Sequence, residues 1–190
     1  MTWQVVRLED AVATPWRNGG GVTRELAAWP SSIDWTWRMS VAEIVQSGPF
    51  STFDGVDRWF VVLAGRGVQL TVDQQRHHLT TAQKPFFFDG AASTDCQLTD
   101  GATQDFNLMV QRSRVSARMV HVSNQLHIAI DMTSGATKII AVYAINSGAT
   151  VVFNDEKLQL PAASLAWRAV DRPASVRITS SNALWMEISL

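Results

Sequence analysis

The chain has 190 residues, with 16 basic against 17 acidic side chains, so it lacks the clustered basic excess of a nucleic-acid surface. Its one cysteine, Cys96, excludes an intrachain disulfide and a multi-cysteine zinc site. The longest apolar runs, 59–64 and 139–145, fall far short of the ~20 residues of a membrane helix.

The first ten residues are charged and carry no apolar signal core, which predicts a cytoplasmic protein. Strand-length runs then follow one another between Gly, Pro, Asn, Asp and Ser, with little helical periodicity. The predicted strands are 3–8, 22–29, 35–44, 58–64, 67–72, 85–88, 104–110, 117–122, 126–130, 138–144, 150–153, 157–160, 164–168, 176–179 and 184–188. Short strands at this spacing predict an all-β sandwich or barrel. The alternation is clearest over 35–44. Trp35, Trp37, Met39 and Val41 share one face; Thr36, Arg38, Ser40 and Ala42 share the other. That polar face meets either solvent or a wet cavity.

A faint repeat recurs at an offset of about 80 residues. Phe60–Ala64, Gly67, 68–72, Leu79 and Phe86–Phe88 are echoed by Ile140–Ala144, Gly148, 150–153, Leu158–Leu160 and Leu165–Trp167. The echo predicts two stacked β-barrels, one over residues 1–115 with the ligand pocket and a smaller one over 116–190.

The histidines are poorly placed for metal. His77 and His78 point to opposite strand faces, and a turn at 123–125 separates His121 from His127. Cys96 reads as an apolar filler. Asn18-Gly19-Gly20-Gly21 lacks the third glycine of a dinucleotide fingerprint. It reads as a tight turn, or as a place where backbone or ligand approaches closely. Ser51 has no evident histidine partner, and no Gly-x-Ser-x-Gly elbow occurs. Charged residues inside apolar strand sequence are more informative: Glu25, Arg38, Asp57, Arg58 and Asp105. They form either an Arg–Asp lattice stapling strand ends or a polar pocket whose arginines take a carboxylate bidentately.

The segment Pro15-Trp16-Arg17-Asn18-Gly19-Gly20-Gly21-Val22-Thr23-Arg24-Glu25 resembles the opening of the HutD/Ves family. The resemblance continues through Trp37–Ala42, Gly48–Ser51, Phe53, Gly55–Arg58, Leu63–Gly67, Phe88–Gly90 and Asp105–Asn107. It implies a bicupin fold in a cytoplasmic bacterial protein. It also implies a link to histidine utilisation, through binding of an intermediate such as N-formylglutamate or urocanate, or to stress response in the Ves branch. Metal cupins place His-x-His and then glutamate before the first strongly apolar strand. Here Ser51-Thr52-Phe53 and Asp57-Arg58 stand there, and the later histidine falls near Ser93. No metal and no cofactor are expected.

On this reading Arg38 and Arg58 meet a ligand carboxylate, and Trp16 and Phe50 form apolar walls. Asn18 and the backbone of Gly19, Gly20 and Gly21 supply neutral hydrogen bonds. Glu25, Asp57, Asp105 and Asn107 orient the arginines or meet a polar ligand group, and Arg17, Thr23, Ser40 and Ser51 complete the lining. The expected partner is a small anionic or zwitterionic molecule, with no nucleic acid and no membrane; edge strands leave a homodimer open. Two rivals stand beside this sensor. One is a metal-independent isomerase or hydrolase with Glu25 or Asp57 as base; the other is a protein–protein regulator.

Overall fold

A computed structural model describes residues 2–132 and 137–190. In chain order the strands are β1 (Gln4–Arg7), β2 (Ala13–Pro15), β3 (Gly21–Pro30), β4 (Trp35–Ile44), β5 (Gly48–Pro49), β6 (Val56–Ala64), β7 (Val68–Val72), β8 (Gln75–Leu79), β9 (Phe86–Asp89) and β10 (Thr94–Leu98). Then come β11 (Thr103–Gln111), β12 (Ser116–Val122), β13 (Gln125–Ile130), β14 (Lys138–Ala144), β15 (Ala149–Phe153), β16 (Glu156–Leu160), β17 (Ser164–Val170), β18 (Ala174–Thr179) and β19 (Ala183–Ser189). Among the described residues no α-helix forms, and the one helical turn is the 3-10 turn Leu8–Asp10. The all-β expectation therefore holds.

Ala11–Arg114 form one unit; the residues up to Asp10, together with Val115–Leu190, form the other. The first ten residues thus belong to the second unit, not to the first barrel expected over 1–115. β1 pairs antiparallel with β17, Gln4 opposite Trp167 and Arg7 opposite Ser164. The physical reason is that an edge strand's unpaired N–H and C=O groups accept any extended segment, and periodicity carries no record of which strand a segment pairs with.

The first unit has a six-stranded sheet, β2-β3-β4-β11-β6-β9, and a four-stranded sheet, β5-β10-β7-β8. The second has a five-stranded sheet, β1-β17-β14-β19-β12, and a four-stranded sheet, β13-β18-β15-β16. Each unit is thus two open sheets with end strands, and the closed barrels expected from the sequence are not formed. The repeat is exact in topology: β4-β11-β6-β9 matches β12-β19-β14-β17, and β5-β10-β7-β8 matches β13-β18-β15-β16. The turns repeat as well. Asp73 (φ 44) and Asn154 (φ 50) open the two-residue hairpins β7–β8 and β15–β16. Each side-chain oxygen accepts the amide of a following serine, Ser93 at 3.1 Å and Ser175 at 2.9 Å. Asp and Asn tolerate left-handed backbone and bond locally, which suits them to this turn.

In the first unit Ile44, Phe60 and Val62 of the larger sheet pack with Val68, Leu70, Val72, Leu79 and Cys96 of the smaller one. This core fills only one end of the space between the sheets. Further along the same inward faces, β3, β4, β6 and β11 carry polar side chains.

Candidate functional site

Strand alternation aims those polar side chains inward together. Thr23 and Glu25 of β3, Arg38 and Ser40 of β4, Arg58 of β6, and Asp105 and Asn107 of β11 line one cavity of about 880 Å³. The register sets Ser40 opposite Asn107 and opposite Glu25, across three adjacent strands. Two register shifts flank the site, one between Glu25 and Ala27 and one beside Asp105. Such bulges re-aim side chains next to sites. Trp16, Phe50 and Phe53 supply the aromatic wall.

Arg58 lies at the floor, with 7% of its surface exposed. Its guanidinium carbon sits 4.9 Å from the Phe88 ring centre, 5.4 Å from Phe50 and 5.8 Å from Phe53. Three ring faces within ~6 Å offset part of the lost hydration. Its Nη2 donates to Asn107 Oδ1 at 3.0 Å, and Asn107 Nδ2 donates to Asp105 Oδ1 at 2.6 Å. Arg58 Nε and Asp105 Oδ2 are buried with no hydrogen-bond partner. Burial pushes the Asp105 carboxyl up to about 7, against the pull of Asn107 and Arg58. Burial likewise lowers Arg58 to about 10.

Nearer the mouth, Arg38 Nε bonds Glu25 Oε2 at 2.8 Å, each side chain about a quarter exposed. Ser32 Oγ donates to the other Glu25 oxygen. Trp16 Nε1 donates to Thr23 Oγ1 at 2.7 Å, and the Trp16 and Phe50 rings meet edge to face. The site therefore has a buried, aromatic floor that carries Arg58, beneath a rim where Arg38 and Glu25 are paired.

Of the residues expected to form the site, Trp16, Arg17, Asn18, Thr23, Glu25, Arg38, Ser40, Phe50, Ser51, Arg58, Asp105 and Asn107 all line this cavity. Asp57 and the three glycines do not, which corrects the expectation for them. Asp57 points to the opposite face from its neighbour Arg58 and pairs with Arg112 at 2.9 Å. Arg112 also reaches Asp89 at 2.6 Å and the Val56 carbonyl at 3.0 Å, so here the stapling lattice is what forms. Gly21 is a close backbone approach: a Cβ there would stand 2.2 Å from the Glu43 carbonyl oxygen. Gly19 turns the chain with φ +72, and the Gly20 amide bonds Asn18 Oδ1 at 3.0 Å. Period-2 alternation would have excluded Asp57, since adjacent strand residues never share a face. Phe53, Met109 and Ala42 were missed as lining. Ala42 and Met109 follow from that same alternation with Arg38 and Asn107, whereas Phe53 lies in a loop that periodicity does not aim.

The HutD family model matches residues 8–186. The chain belongs to the HutD family. It is 39% identical over 118 residues to an uncharacterised 21.2 kDa protein in the hutC 3' region of Pseudomonas putida, covering 61% of this chain and 62% of that one. It is 33% identical to protein Ves of Cronobacter sakazakii, covering 92% of each. The structure of HutD from Pseudomonas fluorescens SBW25 (formate condition) superposes with a TM-score of 0.85 at 29% identity, covering 98% of each chain. A cupin 2 conserved barrel domain protein from Leptotrichia buccalis superposes at 0.56 with 7% identity, covering 98% and 95%, a likeness of fold alone.

The residues of this HutD-family cavity do not fit a cation. No histidine lines it, its floor is a guanidinium, and its carboxylates Glu25 and Asp105 are bonded to Arg38 and Asn107. Among the described residues no group of three His, Cys, Asp or Glu side chains converges as a metal site requires.

The matching place in the second unit is filled. Asp105 lies opposite Val62, and Trp185 lies opposite Val142 in the repeat-equivalent strand pair. Trp185 is fully buried in the second core. Where the first unit has Asn107, the second has Glu187, bonded to Arg118 at 2.6 Å and Lys138 at 2.7 Å.

Proposed function

We propose that this protein is a bicupin regulator or sensor that binds a small carboxylate in the cavity of its first unit. The observation that carries the reading is Arg58: a buried guanidinium, framed by three aromatic rings, that lines a roomy cavity and whose Nε has no hydrogen-bond partner. Concave sites with aromatic walls and few convergent polar groups suit small ligands. The planar fork of a guanidinium matches the geometry of a carboxylate. Arg38, half-committed to Glu25, stands ready for a second carboxylate or a neighbouring polar group.

The relative in the hutC 3' region supports a place beside histidine utilisation. N-formylglutamate and urocanate are therefore the first candidates, in a cytoplasmic setting. Calorimetric titration with each tests the reading. Sub-millimolar binding that is lost in Arg58→Ala supports it; absence of binding by both, or an unchanged affinity in the variant, refutes it.

One observation favours a second reading, a metal-independent isomerase or hydrolase of a small carboxylate. Burial pushes the Asp105 carboxyl up to about 7, near the range where a general acid or base works best, which makes Asp105 the candidate in place of the Glu25 or Asp57 expected from the sequence. Incubating the protein with both compounds and following them by proton NMR separates enzyme from sensor.

A further inference from the structure

We propose that the cavity takes up a small carboxylate together with one proton, and that Asp105 carries the proton. This rests on the carboxylate reading above and adds the charge state in which the site binds.

The argument starts from charge. Three arginines, Arg17, Arg38 and Arg58, and two carboxyl groups, Glu25 and Asp105, line the cavity. Arg38 is matched by Glu25 in direct contact at 2.8 Å. Arg58 is matched by Asp105 only through Asn107. With Asp105 ionised, the floor pair of Arg58 and Asp105 is neutral and offers an anion little net attraction.

Asp105 is also poorly held as an anion. It is 1% exposed and accepts one hydrogen bond, at Oδ1, while Oδ2 has none. An ionised carboxylate at such a depth needs several donors or a direct cation. The titratable and charged side chains that share the cavity with it are Arg58 on β6, Arg38 on β4, Glu25 on β3 and Arg17 in the β2–β3 turn, and Cys96 on β10 couples to it. Of these, Arg58 stabilises its negative charge, and burial pushes the Cys96 thiol up to about 12, so it stays neutral.

A carboxylate arriving at Arg58 neutralises the one cation that favours ionised Asp105. The nearby new negative charge then raises the proton affinity of Asp105 further. A solvent proton adds to Oδ2, forming one O–H bond and breaking none within the protein. The resulting carboxylic acid has a donor where the carboxylate had an orphaned acceptor. The bound floor thereby stays neutral: Arg58 against the ligand carboxylate, with Asp105 uncharged. Asn107 keeps both its bonds throughout, since Asp105 Oδ1 remains an acceptor.

The test is calorimetric titration of the full chain with N-formylglutamate, and with acetate as a bare carboxylate. Neither ligand titrates between pH 6 and 9, and buffers of different ionisation enthalpy report protons exchanged. The expected result is uptake near zero at pH 6 rising towards one proton per ligand at pH 8. Kd then weakens by up to tenfold per pH unit above about pH 7. Asp105→Asn is expected to abolish the uptake and flatten the pH dependence, and the wild-type proton count stands even if that variant folds poorly. Binding at pH 8 with no proton uptake overturns this inference and leaves the carboxylate reading intact. No binding of either probe at pH 6 overturns both.

Discussion

Asp105 and Trp185 occupy the same position in the two repeats, on β11 between β4 and β6 and on β19 between β12 and β14, each opposite a valine, Val62 and Val142. One is a small acid and leaves a cavity in front of it; the other is an indole and fills the equivalent space. Similar strand arrangements thus hold one open cavity and one filled core, with an indole in the second where the first has a small acid.

Truncating Trp185 to alanine is expected to open a cavity in the second unit and cost about 3–5 kcal/mol, as large-to-small core changes do. Guanidinium denaturation of the variant against wild type checks this. A loss below 1 kcal/mol would mean that the indole is not filling that core.

Replacing Arg58 by methionine removes the ligand-facing cation while keeping much of its volume against Phe50, Phe53 and Phe88. Carboxylate affinity is expected to fall by about 2–5 kcal/mol, roughly 30-fold or more. Arg38→Met should cost less, because Arg38 is partly exposed and already paired with Glu25. Calorimetry on the two variants ranks them.

Asp105 also sets a pH dependence of stability. Its folded-state value of about 7 lies above its ordinary 3.8. Between those values the folded chain binds the proton and the unfolded chain does not. Stability contributed by the neutral acid is therefore present at low pH and is lost as pH rises from about 4 to 7. The expected change is on the order of 2–4 kcal/mol. Glu187 acts with the opposite sign in a lower window. Burial raises it, but bonds from Lys138 and Arg118 win and hold it below 4.5. Denaturation midpoints between pH 5 and 8 should decline in wild type and level out in Asp105→Asn.

The three glycines separate in the same kind of experiment. Gly21→Ala places a Cβ 2.2 Å from the Glu43 carbonyl oxygen and must part β3 from β4. Gly19→Ala meets no atom within 4 Å and carries only the strain of its positive φ, about 1 kcal/mol. Thermal melts should show Gly21→Ala as clearly the more damaging. Equal effects would contradict the close-approach role of Gly21.

Much of the site was legible because it is built on strands. Alternation alone puts Arg38 with Ser40, Asp105 with Asn107 and Thr23 with Glu25, and charged residues amid apolar sequence mark where the core gives way. The same rule, applied strictly, removes Asp57 from beside Arg58. Phe53 was not legible as a wall of the Arg58 cage, because a loop has no period to aim it. The strands missed from the sequence, β2, β5, β8 and β10, are short or polar. β8, Gln75–Leu79, is an edge strand whose exposed face reads as a loop.

By itself, the amino-acid sequence determined the all-β class, the repeat and the cluster of arginines, acids and aromatics, because these are written in local patterns of polarity and turn residues. Only the tertiary structure decided that β1 pairs with β17, that Asp57 serves Arg112, and that Trp185 fills the space Asp105 leaves open. Those facts depend on which strands lie side by side and in what register. Pairing between residues tens of positions apart leaves no periodic trace in either segment.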